Sequence, residues 1–263
     1  AEMRGFLERV MLAAPLEEAL ALDSQAALQQ WLSRAPGQGD LRLFLEIAQD
    51  TGLALLGRGP DLTMSFGAFP NPDGGFAMAP GVWDGTQLAP LAIEQITEDA
   101  CHAWLADHGT ALPPAMGLTM PQTEKPDAYT WNKAPRLNGR VLETGALARQ
   151  LAAGHPLIRE LWRNSGGNVM TRVLSRVLEL AGLVLLVEQT LRELVPDAPC
   201  CVDSQVPQTA DAFGLCEAAR GSLGHWLSVR DGRIANYQIV APTSWNFSPR
   251  DRSGTPGALE AAL

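Results

Sequence analysis

One stretch constrains the fold more than any other. Residues 169–194 read as a single uninterrupted helix, closed at Val195-Pro196-Asp197, where proline can neither donate a backbone hydrogen bond nor continue the spiral. About 26 residues at 1.5 Å each make a rod of roughly 39 Å, long enough to be the spine of a domain. Its most apolar part, Val173 to Leu191, is interrupted by Arg176, Glu179, Glu188 and Gln189. That pattern belongs to a buried core helix and not to a membrane span.

Shorter helical patterns surround this spine. Gly145 to Leu151 and Pro156 to Trp162 lead into it. Between Gly5 and Leu32, residues such as Phe6, Val10, Leu16, Leu20, Leu28 and Trp31 recur at mostly helical spacing. Two amphipathic helices are expected there, parted near Pro15 or near Asp23-Ser24, with Ser24 a fitting N-cap. Leu41 to Thr51 predicts another helix that ends at Gly52. Thr97 to Asp107 predicts a further one, with Thr97 as N-cap, Glu98 and Asp99 suiting the positive end of the helix, and Cys101 in the core. Gly57 to Pro90 is rich in Gly and Pro and reads as loop with short strands, Pro72-Asp73-Gly74-Gly75 being a tight turn. Leu112 to Tyr129 carries Pro113, Pro114, Pro121 and Pro126 and is expected to be extended. Near the C-terminal end, His225 to Arg230 and Ile234 to Val240 flank Asp231-Gly232, the two-residue turn whose positive φ angles match the twist of a hairpin. The fold class that follows is α+β and predominantly helical, a long-helix bundle core with a C-terminal β-hairpin or small sheet.

Composition narrows the function. The 263 residues are 46% apolar and 19% charged, the balance of a globular protein. A net charge of −9 with no Lys/Arg cluster argues against nucleic acid as a partner, because phosphate needs a basic face. The four cysteines, Cys101, Cys200, Cys201 and Cys216, are too few for a disulfide framework and fit a reducing, cytoplasmic setting. The N-terminus is neither basic nor followed by an apolar core, so it does not read as a signal peptide. The chain opens on Ala1 and runs straight into helical pattern, as expected of a piece of a longer protein.

Several chemistries have no motif here. There is no phosphate-binding Gly-x4-Gly-Lys-Ser/Thr loop, no Gly-x-Gly-x-x-Gly and no Gly-x-Ser-x-Gly elbow. His102 and His108 stand six apart, on opposed faces of the helix expected there, and make no helical metal pair. The side chains of adjacent Cys200 and Cys201 diverge, which disfavours a shared metal. Cys216 lies close in sequence to Glu217 and Arg220, and a nearby guanidinium favours the thiolate. Taken alone, Arg220 reads as a brace that bonds Glu217 or Asp251.

Three segments alter that reading. The first runs from Gly214-Leu215-Cys216-Glu217-Ala218-Ala219-Arg220-Gly221-Ser222-Leu223-Gly224-His225-Trp226 to Pro242-Thr243-Ser244-Trp245-Asn246. The second joins Trp131-Asn132-Lys133-Ala134-Pro135-Arg136 to Glu143-Thr144-Gly145-Ala146-Leu147-Ala148-Arg149, and the third is Arg172 to Glu179. Together they resemble the large subunit of nickel–iron hydrogenases. The resemblance covers most of residues 76–263 of a single large-subunit-like domain, with 1–75 as a divergent helical part. It implies that Arg220 donates to one cyanide of an iron carrying two cyanides and one carbon monoxide. It further implies that Thr243 donates to the other cyanide and that Pro242 lines the pocket. Buried anionic ligands need such preorganised donors.

Departures from the pattern shape the functional expectation. Neither Cys-x-x-Cys motif that holds the metals in that family occurs within these residues, and Ala219 replaces the usual proline before Arg220. The chain then looks like the HupK/HoxV group of hydrogenase maturation proteins. The expected function is a non-enzymatic scaffold that holds the Fe(CN)2CO unit transiently, takes no nickel, and works with other maturation proteins and the large-subunit precursor. Cys216 is the nearest candidate iron ligand. Two alternatives stay open: a piece of a catalytic large subunit that oxidises hydrogen, and a metal-free relative such as the large subunit of complex I.

Overall fold

A computed structural model describes all residues except Ala1, Pro72, Cys200 and Val202. Pro72 of the expected turn and Cys200 of the adjacent thiol pair therefore lie outside the described residues. The chain forms two units, residues 1–56 with 155–206, and residues 57–154 with 207–263.

The first unit is helical. Helix α1 (Glu2–Phe6) continues as a π-helical stretch, Leu7–Leu12, followed by α2 (Leu16–Leu20), α3 (Gln25–Arg34) and α4 (Asp40–Thr51). After α5 (Ala146–Ala153) of the second unit come α6 (Pro156–Ser165) and α7 (Val169–Glu193). The chain breaks at both of the alternative places, so three helical segments stand where two were expected, and Ser24 Oγ accepts from Ala27 N–H at 3.2 Å as an N-cap. The spine helix is present at 25 residues. Its start is fixed by a reciprocal cap in which Asn168 Oδ1 accepts from Thr171 N–H and Asn168 N–H donates to Thr171 Oγ1. Leu174, Val177, Leu178, Ala181 and Val184 form its buried stripe. No described helix is long and apolar enough to cross a membrane. The π-helical stretch ends at Ala13, in the left-handed region. Its free carbonyls are met by buried Arg42, which donates to Leu12 O and Ala13 O and lies 3.6 Å over the Trp31 ring.

The second unit is built on strands. β1 (Thr63–Ser65) is central to a four-stranded sheet with β4 (Gly81–Trp83) and β5 (Leu88–Ala89) on one side and β8 (Glu143–Thr144) on the other. Strands β2 (Ala68–Pro70) and β3 (Phe76–Met78) pair with each other, as do β6 (Ile96–Asp99) and β7 (Ala134–Leu137). The last sheet is antiparallel, in the order β11 (Arg233–Val240), β10 (Gly221–Arg230), β9 (Thr209–Ala218). Two short helices, α8 (Pro242–Asn246) and α9 (Ala258–Ala262), follow it. Met64, Phe66, Val82, Ile96, Leu137, Trp226, Val240 and Trp245 share one buried core.

The class is α+β, at 39% helix and 22% strand. Helices do not dominate the second unit, and the expected C-terminal hairpin or small sheet is a three-stranded sheet, because all ten residues of β9 pair with β10. Asp231 and Gly232 both have positive φ at the foreseen turn. The helix expected over Thr97–Asp107 is absent. Thr97 instead pairs with Arg136 across β6 and β7. Asp99 bends the chain by accepting from Cys101 N–H at 2.8 Å while it binds Arg252. Long-range pairing thus uses the Thr-Glu-Asp signature that would otherwise start a helix. Cys101 sits half-buried in the resulting turn, and His102 and His108 are not on a helix.

Buried Arg136 organises the C-terminal segment, with Nε on Asp251 Oδ2 at 2.8 Å and further bonds to Ser248 Oγ, Pro249 O and Thr255 O. Burial pushes the Asp251 carboxyl up, but hydrogen bonds from Ser253 and Arg136 outweigh it and hold the group below its ordinary value of 3.8. Asp251 therefore contributes stability that is complete above 3.8 and is lost as pH falls through the lower folded value. Urea unfolding at pH 7 and pH 3 tests this. Asp251→Asn is expected to lower the pH 7 midpoint and to shrink the loss of stability on acidification.

Candidate functional site

The residues singled out by resemblance come to one end of the β9–β10–β11 sheet. Strands β9 and β10 are joined by Ala219-Arg220, with Ala218 paired to Gly221. Because β11 runs antiparallel to β10 and Val240 pairs with Gly224, the chain leaves β11 at this same end and enters α8 through Pro242 and Thr243. Cys216, paired with Leu223, lies two residues before the end of β9. Arg220, Thr243 and Cys216 are exposed, whereas Pro242 is buried. By strand alternation Cys216 faces away from Glu217.

The bracing role considered for Arg220 is filled by other arginines. Glu217 is taken by Arg149, whose Nη1 donates to Glu217 Oε2 at 2.7 Å with both side chains almost wholly buried. The other carboxylate oxygen accepts from Phe66 N–H at 2.8 Å and from Ser222 Oγ at 2.6 Å. Burial pushes the Glu217 carboxyl up, against the pull of these three donors. Asp251 is taken by Arg136. Among the described residues neither carboxylate bonds Arg220. The Arg220 guanidinium is left to the outside of the turn.

Arg149 also grips the turn itself. Nη1 donates to Ala218 O at 3.0 Å and Nη2 to Ala219 O at 3.1 Å, the two carbonyls just ahead of Arg220. Gly221 lies so close to β8 that a side-chain carbon there would collide with Thr144 Oγ1, and its φ of +133° is open to glycine. Thr144 in turn holds the other segment. Its N–H donates to Asn246 Oδ1 at 2.9 Å, and its carbonyl accepts from Asn246 Nδ2 at 3.0 Å. The Thr144 hydroxyl is buried with no partner among the described residues. Sequence alone places Arg149, Thr144 and Asn246 only within the segments that carry the resemblance. Their work depends on contacts across tens of residues that spacing does not reveal.

Among the described residues no side chain bonds the Arg220 guanidinium or the Thr243 hydroxyl, so this sheet end presents hydrogen-bond donors of the kind an anion can use. They do not hold a metal. Among the described residues no group of three or more His, Cys, Asp and Glu side chains is placed to do so, Cys216 included.

A family model described as nickel-dependent hydrogenase matches residues 44–263. The chain belongs to that family. It is 33% identical over 234 residues to the periplasmic [NiFeSe] hydrogenase large subunit of Desulfomicrobium baculatum, covering 81% of this chain and 45% of that one. It is 30% identical over 251 residues to the hydrogenase-1 large chain of Escherichia coli K12, covering 76% and 42%. The solved Ni-Fe-Se hydrogenase of Desulfovibrio vulgaris Hildenborough superposes with a TM-score of 0.78 at 30% identity, covering 90% of this chain and 53% of that one. The chain thus spans about half the length of these relatives.

These matches correct three expectations. The relatives are named as hydrogenase large subunits, which overturns the maturation scaffold and the non-enzymatic assignment. The matching family is nickel-dependent, which overturns the expectation that no nickel is involved. The missing thiolate motifs misled because a chain spanning half of its relatives need not contain every ligand of a shared site.

Arg149→Met is expected to cost about 3–5 kcal/mol, because it strands buried Glu217. Arg220→Ala should stay within about 0.5 kcal/mol, as surface changes usually do. Urea midpoints of the two variants check the contrast, and equal losses would contradict the division of labour between the two arginines.

Proposed function

We propose that this chain is part of a catalytic nickel–iron hydrogenase large subunit acting on dihydrogen, and that Arg220, Thr243 and Pro242 form the outer wall around the iron's diatomic ligands. The observation that carries this is that the exposed Arg220 guanidinium has no partner among the described residues. Two other arginines satisfy the carboxylates it was expected to brace, so its charge stays available for an anionic ligand. Thr243 offers an exposed hydroxyl from the first turn of α8, next to buried Pro242. When bound, the nickel–iron unit supplies the redox chemistry of hydrogen activation. Arg220 and Thr243 would hold its cyanides by hydrogen bonds that cost no reorganisation during reaction.

Cys216 is the thiol at this sheet end and remains the iron-ligand candidate within the chain. Hydrogenase maturation proteins enter as the source of the iron unit. The cytoplasmic setting rests on cysteine usage alone, and the Desulfomicrobium relative is named periplasmic.

The test uses the full-length protein produced with its maturation machinery. Hydrogen-dependent reduction of a viologen dye is expected, together with bound nickel. Arg220→Ala should lower the rate about 10²–10³-fold without changing the unfolding midpoint. A folded, metal-loaded protein that reduces no dye under hydrogen would defeat the proposal.

A further inference from the structure

We infer that the segment from Thr144 to Arg149 is a shared strut that sets the positions of Arg220 and Thr243, with Arg149 and Asn246 as the positioning residues. The inference rests on the reading of Arg220 and Thr243 as donors to an anionic ligand set, and it deepens that reading.

The geometry is a bracket with two arms. On one arm, Arg149 holds Glu217 and the carbonyls of Ala218 and Ala219, so three bonds from one planar guanidinium fix the backbone that leads into Arg220. The strut also meets the turn backbone to backbone. A side-chain carbon at Gly145 would lie 3.3 Å from Arg220 O, and one at Gly221 would strike Thr144. On the other arm, the Asn246 amide closes a two-bond ring on the Thr144 peptide, three residues after Thr243. Both arms start from the same six residues, and α5 behind them is buried along nearly its whole length. A displacement of the strut would therefore move both donors, while loss of one arm would release one donor alone.

A lysine at 149 cannot reproduce this grip. Its ammonium is a point charge, whereas the guanidinium presents donors in a fixed fork that reaches Glu217 and two carbonyls together. Arg149→Lys keeps the charge beside Glu217 and so spares the fold, but it loosens the turn. Asn246→Asp keeps the acceptor for Thr144 N–H and loses the donor to Thr144 O.

Infrared spectra of the full-length protein read the donors separately, since each cyanide stretch responds to the hydrogen bond on that cyanide. Arg149→Lys is expected to shift or broaden one cyanide band, the same band that Arg220→Ala moves. Asn246→Asp should move the other band, the one sensitive to Thr243→Val. Hydrogen exchange on the metal-free full-length protein supplies a readout that needs no cofactor. Arg149→Lys should speed exchange of the amides of residues 219–222 by at least about tenfold, the shift that a loss of roughly 1.4 kcal/mol in local stability produces. The amides around Thr243 should keep their rates. Unmoved bands in both variants, or unchanged exchange at 219–222 in Arg149→Lys, would overturn the strut. A wild-type protein that carries metal but shows no cyanide bands would instead overturn the donor reading, and the exchange rates alone would then decide the strut.

Discussion

The buried pair of Arg149 and Glu217 is the interaction on which the sheet end depends. Two opposite charges removed from water are costly, and they are tolerated where further hydrogen bonds satisfy the remaining valences. Here they are satisfied. Glu217 accepts from Phe66 N–H and Ser222 Oγ, and Arg149 reaches two turn carbonyls. The pair therefore joins α5, the loop after β1 and the β9–β10 turn into one polar node inside an apolar unit. Such a node fixes geometry more than it adds net stability, and geometry is what a donor aimed at a small ligand requires.

Arg149 holds Glu217 and Arg136 holds Asp251, so among the described residues neither carboxylate engages Arg220, and the donor role is the one proposed for it. A guanidinium without a carboxylate partner, at the tip of a rigid two-residue turn, is a poor structural element and a good anion donor. Thr243 lies in the first turn of a short helix whose other end is tied to Thr144 through Asn246.

Much of this frame could be read from the sequence where local rules decide the outcome. The Asp231-Gly232 turn, the Ser24 cap, the helix ending before Gly52 and the spine from Val169 all follow from backbone preference and periodicity. Two errors have a common origin. Thr97-Glu98-Asp99 carries the signature of a helix start, yet the fold spends it on pairing with β7 and on the Asp99 bond to Arg252. Strand β9, with Asp211 and Gly214 inside it, has little strand character of its own and exists through its ladder to β10. The Arg149 contact to Glu217 spans 68 residues, so no local pattern announces it. The functional assignment failed for another reason. The missing cysteine motifs outweigh, in the sequence reading, the expectation that these residues are a piece of a longer protein, whereas the relatives distribute a hydrogenase large subunit over about twice this length.

The most direct test of the central claim is a crystal structure of the full-length, metal-loaded protein, read at the Arg220 guanidinium. A nitrogen of Arg220 should lie about 2.7–3.2 Å from a diatomic ligand of the iron, with Arg149 still on Glu217 and the carbonyls of Ala218 and Ala219. An Arg220 paired instead with Glu217 or Asp251, and out of reach of any ligand, would contradict the account.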